Sequence, residues 1–168
     1  MADTGTGLLT NNFVQMAYIT NDFDAALKLF ADRHGVAHFL ELRDFAMETM
    51  PGQAAKVDIG LAWAGGVQIE VIRPISGADQ VYRDALAGGT GFEMRYHHEA
   101  QKLPTPEALA AARAEAEAQG FPIVIAGGHP NGTAYFYADC RETIGHHVEY
   151  IYYPEDTWAQ IDAGIPRN

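Results

Sequence analysis

The 168-residue sequence holds one cysteine, Cys140, so no intrachain disulfide can form, as suits a reducing compartment. Basic residues are scarce. Eleven Lys and Arg stand against 22 Asp and Glu, a formal net charge of −11. So acidic a chain gains nothing from counterion release and is repelled by anionic lipid, so neither nucleic acid nor a membrane is expected as partner. No apolar run approaches the roughly 20 residues that span a bilayer. The N-terminal residues lack the basic-then-apolar order of a secretion signal, and a cytoplasmic protein is the expectation. Glycines fall in pairs at turns, without the lysine and helix context of a phosphate-cradling loop.

What is present is a hydrophobic share of 48%, ordinary for a globular chain of one domain. Residues 1–11 read as a loose arm. An apolar strand follows, from Phe13 to Ile19 with Gln15 inside it. Thr20-Asn21-Asp22 then starts a helix, because short oxygen-bearing side chains accept the orphan N–H bonds of a first turn. Phe23, Leu27 and Phe30 recur at helical spacing and Gly35 stops the run. Strands are expected at about 38–43, 57–63 and 67–73, with a turn at Gly65-Gly66 and Pro74 closing the unit. After a linker of about 75–90, carrying a short helix near 79–87, the order repeats. A strand over about 92–98 is followed by a helix opened by Thr105-Pro106 and stopped by Gly120. Strands follow at about 122–126, 133–139 and 146–152, and Pro154 closes the second unit.

The two halves align. Laying Glu70 of Val67-Gln68-Ile69-Glu70-Val71-Ile72 on Glu149 of His147-Val148-Glu149-Tyr150-Ile151 sets an offset of 79 (149 − 70), and the same offset lays Gln15 on Met94. The expected fold is α+β: two βαβββ modules, about 12–74 and about 91–154, forming one curled mixed sheet within a single domain, with a tail over 155–168.

The opening Gln15-Met16-Ala17-Tyr18-Ile19, the closing Val67-Gln68-Ile69-Glu70-Val71-Ile72-Arg73-Pro74, the restart Gly89-Thr90-Gly91-Phe92 and the ending Ile144-Gly145-His146-His147-Val148-Glu149-Tyr150-Ile151 resemble the vicinal oxygen chelate superfamily over roughly residues 12–154. Glyoxalase-like and methylmalonyl-CoA-epimerase-like members are the nearest in pattern. The resemblance implies a cup in which four side chains, two per module, hold a divalent metal (Zn, Mn, Mg, Ni or Fe). It also implies a substrate bound through neighbouring oxygens, and a homodimer. Carried over by position, the ligands would be Gln15, Glu70, Met94 and Glu149. Met94 departs from the usual His, and a thioether suits a hard divalent ion poorly.

Alternation along a strand offers replacements. If Met94 faces the cup so do Tyr96 and His98, and if Glu149 does so does His147. The metal set is therefore read as Gln15, Glu70, Glu149 and His98. Glu70 and Glu149 are candidate general bases, since a carboxylate within an apolar strand needs a partner or a function. Each is otherwise a solvated strand residue, and Gln15 is otherwise a satisfied polar core group. Of the adjacent pair His97 and His98, at most one is expected to face the cup. His98, Tyr96, His147 and Tyr137 are candidate substrate contacts. Arg73 and Arg95 are either anion-binding groups or ion-paired surface residues. The C-terminal aromatics suggest a wall for an aromatic or acyl ligand, and Trp158-Ala159-Gln160-Ile161 a cover for a pocket or a dimer seam.

Three activities fit these residues. The first is a small-molecule lyase or isomerase of glyoxalase type, which abstracts a proton next to a carbonyl while a metal or hydrogen-bond donors hold the oxyanion. The second is a non-catalytic binding protein on the same fold, favoured by Met94. The third is a ring-cleaving dioxygenase, which would need a two-His-one-carboxylate set.

Overall fold

The computed structural model describes residues 12–168; the N-terminal arm over 1–11 lies outside the described residues. The strands are β1 (Phe13–Thr20), β2 (Leu40–Met50), β3 (Gln53–Ala64), β4 (Val67–Gly77), β5 (Met94–Leu103), β6 (Ile123–Gly128), β7 (Ala134–Asp139) and β8 (His147–Tyr152). The helices are α1 (Phe23–His34), α2 (Gln80–Arg83), α3 (Pro106–Ala118), α4 (Arg141–Ile144) and α5 (Glu155–Gly164). All eight strands join one sheet in the order β2-β3-β4-β1-β5-β8-β7-β6. The order reads the same from either end once β1 is matched to β5, so the expected pair of βαβββ units is present. No helix among the described residues is long and apolar enough to cross a membrane.

The helix signals act as the chemistry requires. Asp22 caps α1 by accepting from the Ala25 amide, and Gly35 ends it at φ 71. Thr105 caps α3 by accepting from Ala108, with Pro106 in the first turn. Both helices cover the outer sheet face. In module one Phe23, Ala26 and Phe30 pack on Ile69 and Val71; in module two Ala112 and Ala116 pack on Phe136 and Val148. The opposite face curls around Ile19, Val57, Ile72, Ile125, Tyr137 and Ile151.

Strand lengths depart from expectation. β2 and β3 extend through the residues between the expected strands at 38–43 and 57–63, because Pro51 and Gly52 form a two-residue turn in which Gly52 takes a φ of 76. An irregularity between Leu42 and Phe45, where Asp44 has a φ of 51, breaks the alternation that would have revealed β2. Pro74 does not close the unit: β4 continues to Gly77, and Pro74 pairs with Val57. The tail is the helix α5. Gly127 and Gly128 are not a turn but part of β6, which brings the two ends of the sheet together. The Tyr135 hydroxyl donates to the Glu48 carbonyl at 2.7 Å, and a Cβ on Gly127 would stand 2.5 Å from that oxygen. Glycine is what lets β6 approach β2 and nearly close the cup.

Candidate functional site

The ladders fix which residues meet. On β1 and β4, which run parallel, Gln15 lies opposite Gln68 and Ala17 opposite Glu70. On the matching parallel pair, β5 and β8, His98 lies opposite His147 and Ala100 opposite Glu149. Glu70 and Glu149 are therefore equivalent, and the equivalent of Gln15 is His98, not Met94. The correct offset for the first strands is 83 (98 − 15).

The strand β5 also carries a bulge. Between β1 and β5, Ala17 pairs with His98 but Tyr18 pairs with Tyr96, which leaves His97 as an extra residue. The bulge flips the alternation. Met94 is turned to the outer face, where it packs with the Phe23 and Phe30 cluster. Tyr96 goes with it: edge-on to Tyr18 and His146 and 37% exposed, it does not line the cup, contrary to its reading as a substrate contact. The same bulge places both His97 and His98 inside, where a regular strand would admit one.

His98 is fully buried, 3.2 Å from Glu149 and 3.4 Å from Glu70 through Nε2. Ligand atoms of these three residues lie within 4.8 Å of one another. Glu70, Glu149, Gln15 and Tyr137 line one cavity of about 560 Å³. Gln15 donates to Gln68 at 2.6 Å, which orients its amide. His147 sits behind the site: its ring is 4.7 Å from that of His97, its Nδ1 lies 3.5 Å from Asp139, and it does not line the cavity.

The protons in this cluster are assigned by donor–acceptor balance. A carbonyl only accepts, so His97 Nε2, 3.2 Å from the Val81 oxygen, carries a hydrogen. Burial holds the His97 pKa well below the usual histidine value, so its Nδ1 is a lone pair. That atom accepts from His98 Nδ1 at 2.8 Å. His98 is thus fixed with Nδ1–H turned away and Nε2 turned to the carboxylates, with the Tyr137 hydroxyl at 3.3 Å. Burial lowers the His98 pKa, but hydrogen bonds and charges from Glu149 and Glu70 outweigh it, and the result is about 9. Burial raises the Glu149 carboxyl above its usual range, against the pull of His98. The His147 pKa falls to about 4, again chiefly by burial.

The donor set suits a divalent cation. Two carboxylates, an imidazole nitrogen with its tautomer set from behind, and an amide are the oxygen and nitrogen donors that Mg²⁺, Mn²⁺ or Zn²⁺ accept. Two buried carboxylates converging on one histidine also carry more negative charge than that histidine cancels. Gln15, Glu70, His98 and Glu149 are the residues that would hold such an ion.

Above this floor the cavity wall is apolar, built from residues such as Leu42, Met47, Ile59, Leu61 and Ile151. Gln160 and Ile161 of α5 form part of its lining, so the tail covers the pocket. The helix is pinned there, since the Trp63 indole donates to Asp162 at 2.8 Å and the Trp63 amide to the Pro166 carbonyl at 2.8 Å. Sequence patterning did not reveal His97 or the partner of Gln15. Two adjacent histidines occupy the bulge, but neither residue type requires one.

A family model described as the Glyoxalase/Bleomycin resistance protein/Dioxygenase superfamily matches residues 14–138. Among curated proteins nothing matches the chain. Solved structures are similar at low identity. Methylmalonyl-CoA epimerase from Mycobacterium tuberculosis is 16% identical, with a TM-score of 0.56, over 92% of this chain and 95% of that one. A Streptomyces coelicolor methylmalonyl-CoA epimerase variant, in complex with 2-nitronate-propionyl-CoA, is 14% identical, with a TM-score of 0.55, over 86% and 95%. A hypothetical protein from Bacillus halodurans is 17% identical, with a TM-score of 0.57, over 85% and 94%. Likeness at these identities speaks for the fold.

Proposed function

Since the chain belongs to the glyoxalase/bleomycin resistance protein/dioxygenase superfamily, we propose that it is a small-molecule lyase or isomerase that abstracts a proton from a carbon next to a carbonyl. The observation that carries this reading is the convergence of Glu70 and Glu149, from equivalent strands of the two halves, into one largely apolar cavity, where both also contact the buried His98. Glu149 is the candidate base, a buried carboxylate whose pKa burial raises above its usual range. The apolar wall excludes water from the reacting carbon. Tyr137, whose hydroxyl burial keeps protonated, stands at the floor as a neutral donor. A divalent ion held by Gln15, Glu70, His98 and Glu149 would supply the charge that an enolate-like oxyanion requires.

Two alternatives lose support. A non-catalytic binder was favoured by Met94 at a ligand position, and that position belongs to His98. A ring-cleaving dioxygenase needs two histidines and one carboxylate, and this floor offers one histidine and two carboxylates. The test is solvent exchange. Protein loaded with Zn²⁺, Mn²⁺ or Ni²⁺ should catalyse deuterium incorporation from D₂O at the carbon next to the carbonyl of a bound ketone, followed by proton NMR. Binding without exchange under every metal would reject the enzyme reading.

A further inference from the structure

Taking the carbonyl-directed site of the preceding section as given, we infer that its substrate is an uncharged, largely apolar carbonyl compound, of aromatic or bulky aliphatic body, and not an acyl-CoA or another carboxylate. The charge of the cavity carries this. Among the described residues that line it there is no Lys or Arg. Burial depresses the basicity of His129, its one histidine. Five basic side chains outside the cavity are held by other partners. Arg73 is bonded to the buried carboxylate of Asp58. Arg43 is bonded to Asp24 and Glu41, Arg83 to Asp79 and Arg167 to Asp162. Lys102 lies over the Trp158 ring. Neither Arg73 nor Arg95, the two arginines that the sequence offered to an anion, reaches the pocket.

The floor adds no net positive charge. Glu70 and Glu149 outnumber His98, and a divalent ion in their midst would at most bring the floor to neutrality. A substrate carboxylate entering here would lose its hydration and meet no net counter-charge, which a buried site penalises. A neutral ketone meets none of this penalty. Its oxygen can lie toward the floor while its body covers Leu42, Met47, Ile59 and Ile151. Asn131 and Gln160 also line the cavity, and their neutral amides suit a hydroxyl or a second carbonyl. A volume of about 560 Å³ accommodates a molecule of drug size.

Matched probes test this by calorimetry on the full chain with Zn²⁺ present. 2-Hydroxyacetophenone and benzoin are the neutral probes; mandelate and methylmalonyl-CoA are the anionic ones. The neutral probes should bind at least about tenfold more tightly than mandelate, a ratio worth roughly 1.4 kcal/mol, and methylmalonyl-CoA should not compete with them. Leu42→Lys, which puts a cation on the wall, should narrow or invert the ratio between 2-hydroxyacetophenone and mandelate. Tighter binding of mandelate or methylmalonyl-CoA to the wild-type protein overturns the inference. Deuterium exchange separates the two claims. Neutral probes that bind without exchange sink the proton-abstraction reading and leave the substrate class standing. Exchange on methylmalonyl-CoA in preference to the ketones does the reverse.

Discussion

Module one gives the site Gln15 and Glu70, and module two gives His98 and Glu149 from matching ladder positions, yet the surroundings of the two pairs differ. In module one the strands beyond the site are long: β2 and β3 have 11 and 12 residues, and their inner faces form most of the apolar wall. In module two the corresponding β6 and β7 have six residues each. Behind the site, His97 of module two and the Val81 carbonyl of the linker helix α2 fix the proton on His98. The duplicated unit has divided its labour. One copy supplies most of the apolar wall, and the other carries His98 with the neighbour that sets its tautomer. Such division is available to a repeat because a βαβββ unit leaves its strand ends free to vary while its central ladder is held by the partner.

The largest expected effect tests whether the two glutamates are equal. Glu149→Gln and Glu70→Gln should each weaken Zn²⁺ binding in calorimetry. Each should also slow deuterium exchange by about 10² to 10⁴, the range for loss of a positioned base. The Glu149 variant should show the greater kinetic loss after metal is restored by excess ion, as expected of the proposed base. Equal kinetic losses would mean that the halves share the base role.

A second substitution strikes the contact between the ends of the halves. Gly127→Ala puts a methyl 2.5 Å from the Glu48 carbonyl, which is backbone and yields little. Destabilisation of about 1–3 kcal/mol is expected in urea unfolding. Gly66→Ala, with nothing within 4 Å of the added carbon, should stay within about 0.5 kcal/mol. If the two variants match, β6 and β2 are not held as close as the Tyr135 bond requires.

His97→Phe removes the proton-fixing group of module two while keeping a ring in place. Zn²⁺ affinity should fall about tenfold, the usual scale for loss of an outer hydrogen bond to a metal-binding histidine. Nitrogen NMR should show His98 no longer locked as the Nδ1–H tautomer. The pH behaviour follows from the same geometry. His98 has a folded pKa of about 9 against an unfolded value of 6.5. In metal-free protein its stabilising charge is complete below pH 6.5 and lost as pH rises through about 9. Thermal scans of metal-free protein should therefore show a melting temperature that declines over that interval. Zn²⁺ displaces that proton, so its affinity should climb across the same interval. His147 acts in the opposite direction, since its pKa of about 4 makes the folded state lose stability as pH falls from 6.5 toward 4.

Much of this was legible in the sequence because local chemistry marks it. Asp22 and Gly35 bound α1, Thr105 and Pro106 open α3, and two glutamates within apolar strands announce that their carboxylates have somewhere to go. Glu70, Glu149 and His98 do come together. What stayed hidden has a common cause. A bulge adds one residue without requiring any particular side chain, so nothing at His97 betrays that alternation reverses there. Tyr96 was misplaced for that reason. His147 was misplaced for another: its strand face was right, but His97 fills the space between it and the cavity. The irregularity at Asp44 concealed half of β2 in the same way.

The smallest expected effect is the one that most sharpens the comparison between the halves. If Gln15 answered to Met94, the second half would have lost a ligand and Met94 would stand at the floor. The ladders make His98 the counterpart instead, and they put Met94 opposite Thr20, packed beneath α1. Met94→Leu is nearly volume-conserving in an apolar setting, so it should cost less than about 1.5 kcal/mol of stability. It should leave Zn²⁺ affinity and the exchange rate unchanged. Met94→His should gain no affinity, because an imidazole there would lie on the outer face. His98→Gln gives module two the donor that module one already has, and should keep weakened binding with its dependence on pH between 6.5 and 9 removed. Tighter Zn²⁺ binding by Met94→His in calorimetry would restore the offset of 79 and place the bulge elsewhere. No change in that variant, with weakened binding in His98→Gln, fixes the pairing of Gln15 with His98 as the axis of the repeat.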